Sequence, residues 1–251
     1  MKRLLLLLWF WPVFALLRAE PADVLLAASS EAELRPLLTR MTAPHRETRA
    51  AWQFWRGTLG GKSVVLTCTE GDPLNAVAVT TLAIRRYAPR LVVTLGPARS
   101  HDPALKPGDV VVSGKFAAFD GVESPVRGLG GGTDPLKWEK LPHALMTPGE
   151  KELPMEYFPA DPRALAVART LIVPRGRLVV GVLGSAPQVN READRVAQLR
   201  ARWGTSTEDG ESAHIAGCAQ LLGVPVIGLR VVDGTEGEAA VLALQFLEAW
   251  K

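Results

Sequence analysis

The stretch "LVVTLGPARSHDPALKPGDVVV", residues 91–112, decides the fold. Leu91-Val92-Val93-Thr94-Leu95 is apolar and β-branched, and Val110-Val111-Val112 repeats that character after an interruption. Short runs that are apolar on both faces belong to strands in the middle of a covered sheet. Between them stand Gly96-Pro97, the polar group Arg99-Ser100-His101-Asp102 and the turn Pro107-Gly108-Asp109. Ligands of α/β sheets sit at the carboxyl ends of strands, and a glycine there lets a ligand approach the backbone. The segment therefore predicts a central strand that ends near Leu95 and, from Gly96 on, one wall of a binding site.

Working outward, similar runs predict strands at Val24–Ala28, Ser63–Cys68, Asp109–Ser113, Leu178–Leu183 and Val224–Val231. Helical spacing lies between them at Glu31–Leu38, Pro73–Tyr87, Pro162–Val173, Arg191–Ala201, Glu211–Leu222 and Glu236–Trp250. Strand and helix alternate, which argues for a three-layer α/β/α sandwich around a central, mainly parallel mixed sheet. Residues 23–251 read as one domain without internal repeats. Residues 121–160 break the rhythm with GLGGGTDP and the aromatics Trp138, Tyr157 and Phe158; a connection that long predicts a lid or a mobile insertion.

The chain opens with Lys2-Arg3, the unbroken apolar run Leu4–Leu17, and Leu17-Arg18-Ala19. That is the layout of a secretory signal peptide over residues 1–19; at roughly 14 residues the apolar part is short for a membrane span. An uncleaved N-terminal anchor is the alternative. Either way the folded part is expected outside the cytoplasm, periplasmic or extracellular, with no stable membrane span once the peptide is cleaved. Without Lys2, Arg3 and Arg18 the basic count falls from 29 to 26 and equals the acidic count of 26. The basic residues are scattered and not interleaved with aromatics, which argues against a nucleic-acid partner. Cys68 and Cys218 are an even pair in an exported chain, so a disulfide is allowed, but both fall in apolar elements and read as two buried thiols. No Cys or His spacing calls for a metal, and no cofactor is indicated.

The 91–112 segment resembles the purine and uridine phosphorylase superfamily, whose strand is followed by Gly-Ser-Ala-Gly-Gly and then Leu-Lys-x-Gly-Asp. Gly96, Ala98, Leu105, Lys106, Gly108 and Asp109 match that outline. "CTEGDPLNAVAVTTLAI" (68–84) is similar to the family's Gly-x-Gly-x-x-x-Ala stretch, which opens a helix. "EDGESAHIAGCAQLLGVPVIGLRVVDG" (208–234) resembles its acidic-Met-Glu-x-x-Ala segment followed by Val-Pro and Arg-x-x-Ser-Asp. Within the superfamily the chain is most similar to the hydrolytic branch, the methylthioadenosine/S-adenosylhomocysteine nucleosidases. Thr94 stands where phosphorolytic purine enzymes carry a phosphate-binding arginine.

The resemblance implies hydrolysis of the N-ribosidic bond of a purine nucleoside, including a 5′-thio nucleoside, by a homo-oligomer. It assigns Glu33 to aim the attacking water, Glu211 to accept hydrogen bonds from the ribose hydroxyls, and Asp233 to protonate the leaving base; Gly96, Ala98, Arg99 and Gly210 would line the substrate. The residue types alone leave alternatives open. Glu33 also suits the first turn of a helix capped by Ser29 or Ser30. A strict count from Arg230 puts the family's acid at Gly234, one residue past Asp233, and in extended chain one residue turns a side chain to the other face. Asp233 then either reaches the base through a local bulge or caps the following helix. Pro97, Arg99 and Gly210 replace the family's Ser, Gly and Met. Arg99 suits an anionic substrate group or points to solvent. His101 and Asp102 read as loop polar groups and His214 as a satisfied core histidine. Phosphorolysis and non-catalytic nucleoside binding remain as competing functions.

Overall fold

A computed structural model describes residues 21–146, 152–235 and 237–251. The segment assigned to a signal peptide lies outside them. β1 (Val24–Ala28) leads into α1 (Glu31–Arg40); β2 (Thr42–Arg49), β3 (Trp52–Leu59) and β4 (Lys62–Cys68) follow as an antiparallel meander. α2 (Pro73–Tyr87) starts where the Asp72 carboxylate accepts the Leu74 and Asn75 N–H groups at 2.9 and 3.2 Å, with Pro73 in the first turn. That proline lacks only an N–H the helix could not have used. β5 (Leu91–Ser100) and β6 (Val110–Ala118) come next.

The 121–160 stretch forms β7 (Val122–Glu123) paired with β8 (Glu139–Lys140), β9 (His143–Leu145) paired with β10 (Leu153–Met155), and β11 (Phe158–Pro159) on the edge of β6. The chain continues through α3 (Pro162–Ala168), β12 (Leu178–Ser185), α4 (Ala193–Trp203), β13 (Thr205–Asp209), α5 (Ser212–Leu221), β14 (Val226–Val232) and α6 (Glu238–Ala249).

The mixed sheet has ten strands in the order β11-β6-β12-β13-β5-β1-β4-β3-β2, with β14 pairing both β5 and β6. β1 is parallel to β4 and β5, β14 is parallel to β5, and β12 is parallel to β6 and β13. β13 meets the far end of β5 antiparallel. Because β14 also pairs antiparallel with β6, the strands β6, β12, β13, β5 and β14 close into a ring. Helices cover both faces, α2 packing on α5 and α6 on α1 and α3. β1 and β14 are buried at every residue, and each buried Val or Leu contributes about 1.5–3 kcal/mol of apolar transfer.

The predicted strands and helices are present with shifted ends, and two differences matter. β5 does not stop at Leu95; it runs through Gly96 to Ser100, so the expected loop wall is extended chain held by β14 and β13. The polar segments 42–49 and 205–209 are also strands. β2 is an edge strand with both faces largely exposed, where charge blunts edge-to-edge pairing.

Candidate active site

The ends of β1, β5, β13 and β14 converge on an open cleft of about 400 Å³. Ser29 and Gly71 line one side, Pro97, Ala98 and Arg99 the floor, Asp209 and Gly210 the back. Glu208, Asp233 and the loop Ala186–Val189 complete it.

Glu33 and Glu211 stand one layer behind this surface, and Ser29 joins them. Its backbone N–H donates to Glu33 Oε2 at 3.3 Å and its hydroxyl donates to Glu211 Oε1 at 3.1 Å. Ser30 is the N-cap of α1: its hydroxyl accepts from the Glu33 N–H at 3.4 Å and lies 3.5 Å from Glu33 Oε1. Glu33 thus is a first-turn helix glutamate and is also aimed at the end of β5, since a Cβ built on Gly96 would fall 2.5 Å from its Oε2. The same point is 2.5 Å from Arg230 Nη1. The space left by the missing Gly96 side chain is therefore filled by Glu33 and Arg230; Gly96 is buried and absent from the cleft lining, which corrects the expectation that a ligand approaches its backbone.

Glu211, at the N-cap position of α5, is fully buried. Its Oε2 is hydrogen-bonded by the Thr69 hydroxyl, which also lies 3.1 Å from the Ala28 carbonyl oxygen. Burial pushes the Glu211 carboxyl above its ordinary range, with Arg230 and Thr69 opposing. Arg230, fully buried on β14, lies 3.1 Å from Asp209 and 3.7 Å from Glu211. It donates to Ser212 Oγ at 2.6 and 2.9 Å and to Thr94 Oγ1 at 2.9 Å. Burial alone would raise the Asp209 carboxyl; Arg230, Ser212 and two backbone N–H groups outweigh it and hold that carboxyl below the usual range. Thr94, at the position of the phosphorolytic arginine, is thus a partner of Arg230.

The one-residue offset of Asp233 has its structural setting at the end of β14. Asp233 leaves the strand in the left-handed region (φ 43°), which aspartate tolerates better than most residues, and its N–H donates to Ala98 O at 2.9 Å. That turn makes Asp233 an exposed member of the cleft lining. At Gly234 a Cβ would sit 2.7 Å from the Val231 Cβ, so no side chain fits there. Asp233 does not cap α6, whose N-cap is Gly237 without a side-chain bond. Arg99 is exposed at the cleft with no ion pair among the described residues. At Gly210 a Cβ would collide with the Gly71 carbonyl oxygen, so the turn at residues 70–72 occupies the room a larger residue would need.

Sequence reasoning missed two features. His101 is a buried anchor and no loop polar group: Nε2 lies 3.0 Å from Glu208 Oε2 and Nδ1 2.7 Å from Thr205 Oγ1. Glu208 in turn accepts the backbone N–H and side-chain amide of Asn190 at 3.0 and 2.7 Å. Burial of Glu208 is outweighed by these bonds, and its carboxyl lies below the usual range. The Asn190 contacts tether the Ala186–Val189 loop, the second missed feature, whose only cue was the unassigned Pro187 after an apolar strand. None of the described residues of 121–160 lines the cleft. Asp102 is the expected loop polar group, paired with Arg200 at 2.8 Å. His214 Nε2 lies 3.0 Å from Asp120 Oδ2. Cys68 and Cys218 are unpaired buried thiols. Among the described residues no cluster of His, Cys, Asp and Glu is placed to hold a metal ion.

A closed mixed sheet with a cleft at the ends of β1, β5 and β14, backed by two buried glutamates, defines a nucleoside phosphorylase-like α/β protein. Residues 23–250 match the model of the phosphorylase superfamily, and the chain belongs to that family. It is similar to the 5′-methylthioadenosine/S-adenosylhomocysteine nucleosidase of Halalkalibacterium halodurans, 27% identical over 227 residues covering 88% of this chain and 89% of the relative. The enzyme of the same name from Tolumonas auensis is 27% identical over 191 residues, 75% of each chain. Among solved structures, the Colwellia psychrerythraea 5′-methylthioadenosine/S-adenosylhomocysteine nucleosidase in complex with adenine superposes with a TM-score of 0.74. It is 21% identical, and the match covers 93% of this chain and 97% of that one.

Proposed function

We propose that the protein hydrolyses the N-ribosidic bond of a purine nucleoside and releases the free base, 5′-thio nucleosides of the methylthioadenosine kind included. One observation carries this reading: Ser29 and Asp233 line the same cleft, and Ser29 holds both Glu33 and Glu211 by hydrogen bonds. Cleavage of the bond gathers positive charge on the sugar and negative charge on the base. Water adds to the anomeric carbon as the carbon–nitrogen bond breaks. Glu33 takes the water proton, and Asp233 supplies a proton to the departing base. Glu211 backs the sugar side of the cleft from behind Ser29. The names of the relatives and the adenine held by the Colwellia enzyme support an adenine-type base. Phosphorolysis is disfavoured because Thr94 is committed to Arg230.

A non-catalytic nucleoside-binding protein of the same fold is the second reading, favoured by the exposed position of Asp233 at the cleft edge. Incubation with adenosine, inosine and methylthioadenosine, with and without phosphate, separates the three. Free base without phosphate supports hydrolysis, base only with phosphate means phosphorolysis, and saturable binding without release means a binding protein. In a hydrolase, Glu33→Gln should lower turnover by about two to four powers of ten with substrate binding nearly unchanged.

Export and self-association belong to the same proposal. The Lys2-Arg3 start and the apolar run Leu4–Leu17 support export. The exposed apolar residues Leu74, Val77 and Leu82 on α2 support a homo-oligomer, which sedimentation would measure.

A further inference from the structure

Glu211 has two carboxylate oxygens, and this chain has put a hydroxyl of its own on each. Ser29 Oγ donates to Oε1 at 3.1 Å, and Thr69 Oγ1 is bonded to Oε2. Two hydroxyls, one per oxygen, reproduce what a vicinal sugar diol would offer to a carboxylate. Glu211 is fully buried behind them and does not line the cleft, whereas Ser29 does. A Cβ on Gly210 would collide with the Gly71 carbonyl oxygen, so the turn that follows Thr69 lies against Gly210.

Each carboxylate oxygen could accept a second hydrogen bond, but Glu211 is fully buried and Ser29 stands at the cleft in front of it, so a sugar hydroxyl approaching from the cleft must displace Ser29 to reach the carboxylate. The exchange swaps one hydrogen bond to a charged acceptor for another of the same kind, so the diol gains little net free energy. A sugar without the 2′-hydroxyl forgoes nothing, because Ser29 and Thr69 leave no carboxylate oxygen unsatisfied. The N-glycosidic bond of a 2′-deoxynucleoside is also intrinsically the more labile one, since no electron-withdrawing 2′-oxygen opposes the positive charge at the anomeric carbon.

Resting on the hydrolytic reading above, we propose that Ser29 and Thr69 are specificity-determining residues that make the site indifferent to the sugar 2′-hydroxyl, and that purine 2′-deoxynucleosides are substrates on a par with ribonucleosides. The hydrolysis balances as before: water oxygen bonds to C1′, the C1′–N bond breaks, and the base leaves with a proton.

The test compares adenosine with 2′-deoxyadenosine on the full chain, by adenine release (kcat/KM) and by direct binding. For the parent the two substrates should agree within about fivefold or favour the deoxynucleoside. Ser29→Ala with Thr69→Ala empties both oxygens, and the preference should swing toward adenosine by about ten- to a hundredfold, the weight of hydrogen bonds to a charged partner. Thr69→Ser, which keeps the hydroxyl, should keep the parental ratio. Should Thr69→Ala fail to fold, Ser29→Ala alone should move the ratio in the same direction. A parent that prefers adenosine more than tenfold, or variants whose ratio does not move, overturns the proposal while leaving the hydrolase reading intact. Binding with the predicted ratios but no adenine release overturns catalysis and keeps the selectivity. No binding of either nucleoside overturns both.

Discussion

Arg230→Met removes a fully buried guanidinium and keeps an unbranched side chain of similar reach. Arg230 stands 3.1 Å from Asp209 and 3.7 Å from Glu211. At an effective dielectric constant of about 20, each pair represents about 5 kcal/mol of gross attraction. Much of that offsets desolvation, so the measurable loss should be about 3–5 kcal/mol, the usual range for stranding a buried charge. In urea, with a slope of about 2–3 kcal/mol/M, the unfolding midpoint should drop by about 1–2 M. The loss carries a pH sign. In the parent, burial pushes Asp209 up but Arg230 more than compensates, so its folded pKa is depressed. Its stabilising contribution is present above the unfolded pKa and fades as pH falls through the folded value. In Arg230→Met the hydrogen bonds from Ser212, Ser29, Thr69 and the backbone remain but the largest opposing charge is gone, so the Asp209 and Glu211 pKa values both rise and stability is lost as pH climbs through them. The gap between parent and variant should therefore be widest near pH 8 and narrow toward pH 5. Adding Asp209→Asn strands one charge fewer and should recover part of the loss. A gap below about 1 kcal/mol at pH 8, or one that does not change with pH, would refute the reasoning.

Burial, followed by the negative charges of Glu70, Glu31, Glu33 and Glu211, pushes the Cys68 thiol up to about 12. A thiol reagent at pH 8 should leave it untouched in the folded protein and label it on unfolding; native labelling at the unfolded rate contradicts its placement. Gly210→Ala forces a methyl group into the Gly71 carbonyl, and overpacking of this kind costs about 1–3 kcal/mol. Calorimetry should then show Tm lower by roughly 2–10 °C, and an unchanged Tm would mean the two turns are not in contact. Glu208→Gln weakens the bonds to His101 and Asn190, so amide exchange at Asn190 should accelerate by about tenfold or more; unaltered exchange there argues against the tether. Mature protein from its native host should begin between Ala19 and Asp23 and lie outside the cytoplasm, and an intact Met1 on cytoplasmic protein counts against export.

The elements legible in the sequence are those whose surroundings are uniform. β1, β4, β5 and β14 are apolar on both faces because helices cover both faces, and α2 is announced by Asp72-Pro73 at its start. Where burial is one-sided or absent the pattern vanishes: "TAPHRETR" forms an edge strand whose residues face water, and "TSTED" is a strand because β12 and β5 flank it. The site follows the same division. Glu33 and Glu211 were legible only through the family resemblance, since each by itself reads as an acidic residue at a helix start. The burial of His101 depends on Thr205 and Glu208, more than a hundred positions away, and nothing local signals it. Thr69 looked like an ordinary strand-end threonine, and its role appears only when α5 is brought beside the end of β4. The one-residue displacement of Asp233 could not be weighed without the positive φ that turns it into the cleft.

The ring of five strands is closed by β14. β14 starts at Val226, and it alone bridges β5 to β6, whose own sequence positions lie more than a hundred residues earlier. Contacts of such separation form late, because loop closure must come before they stabilise anything. During synthesis, Asp209 and Glu211 leave the ribosome before Arg230 does, so for a time two carboxylates lack the cation that makes their burial tolerable. The centre of the site cannot assemble until the final quarter-turn of the molecule has arrived. A nascent chain stopped short of residue 226 should expose an unpaired edge of β5, which is a template for association with other chains. Closure of the ring and assembly of the cleft therefore wait on the same strand.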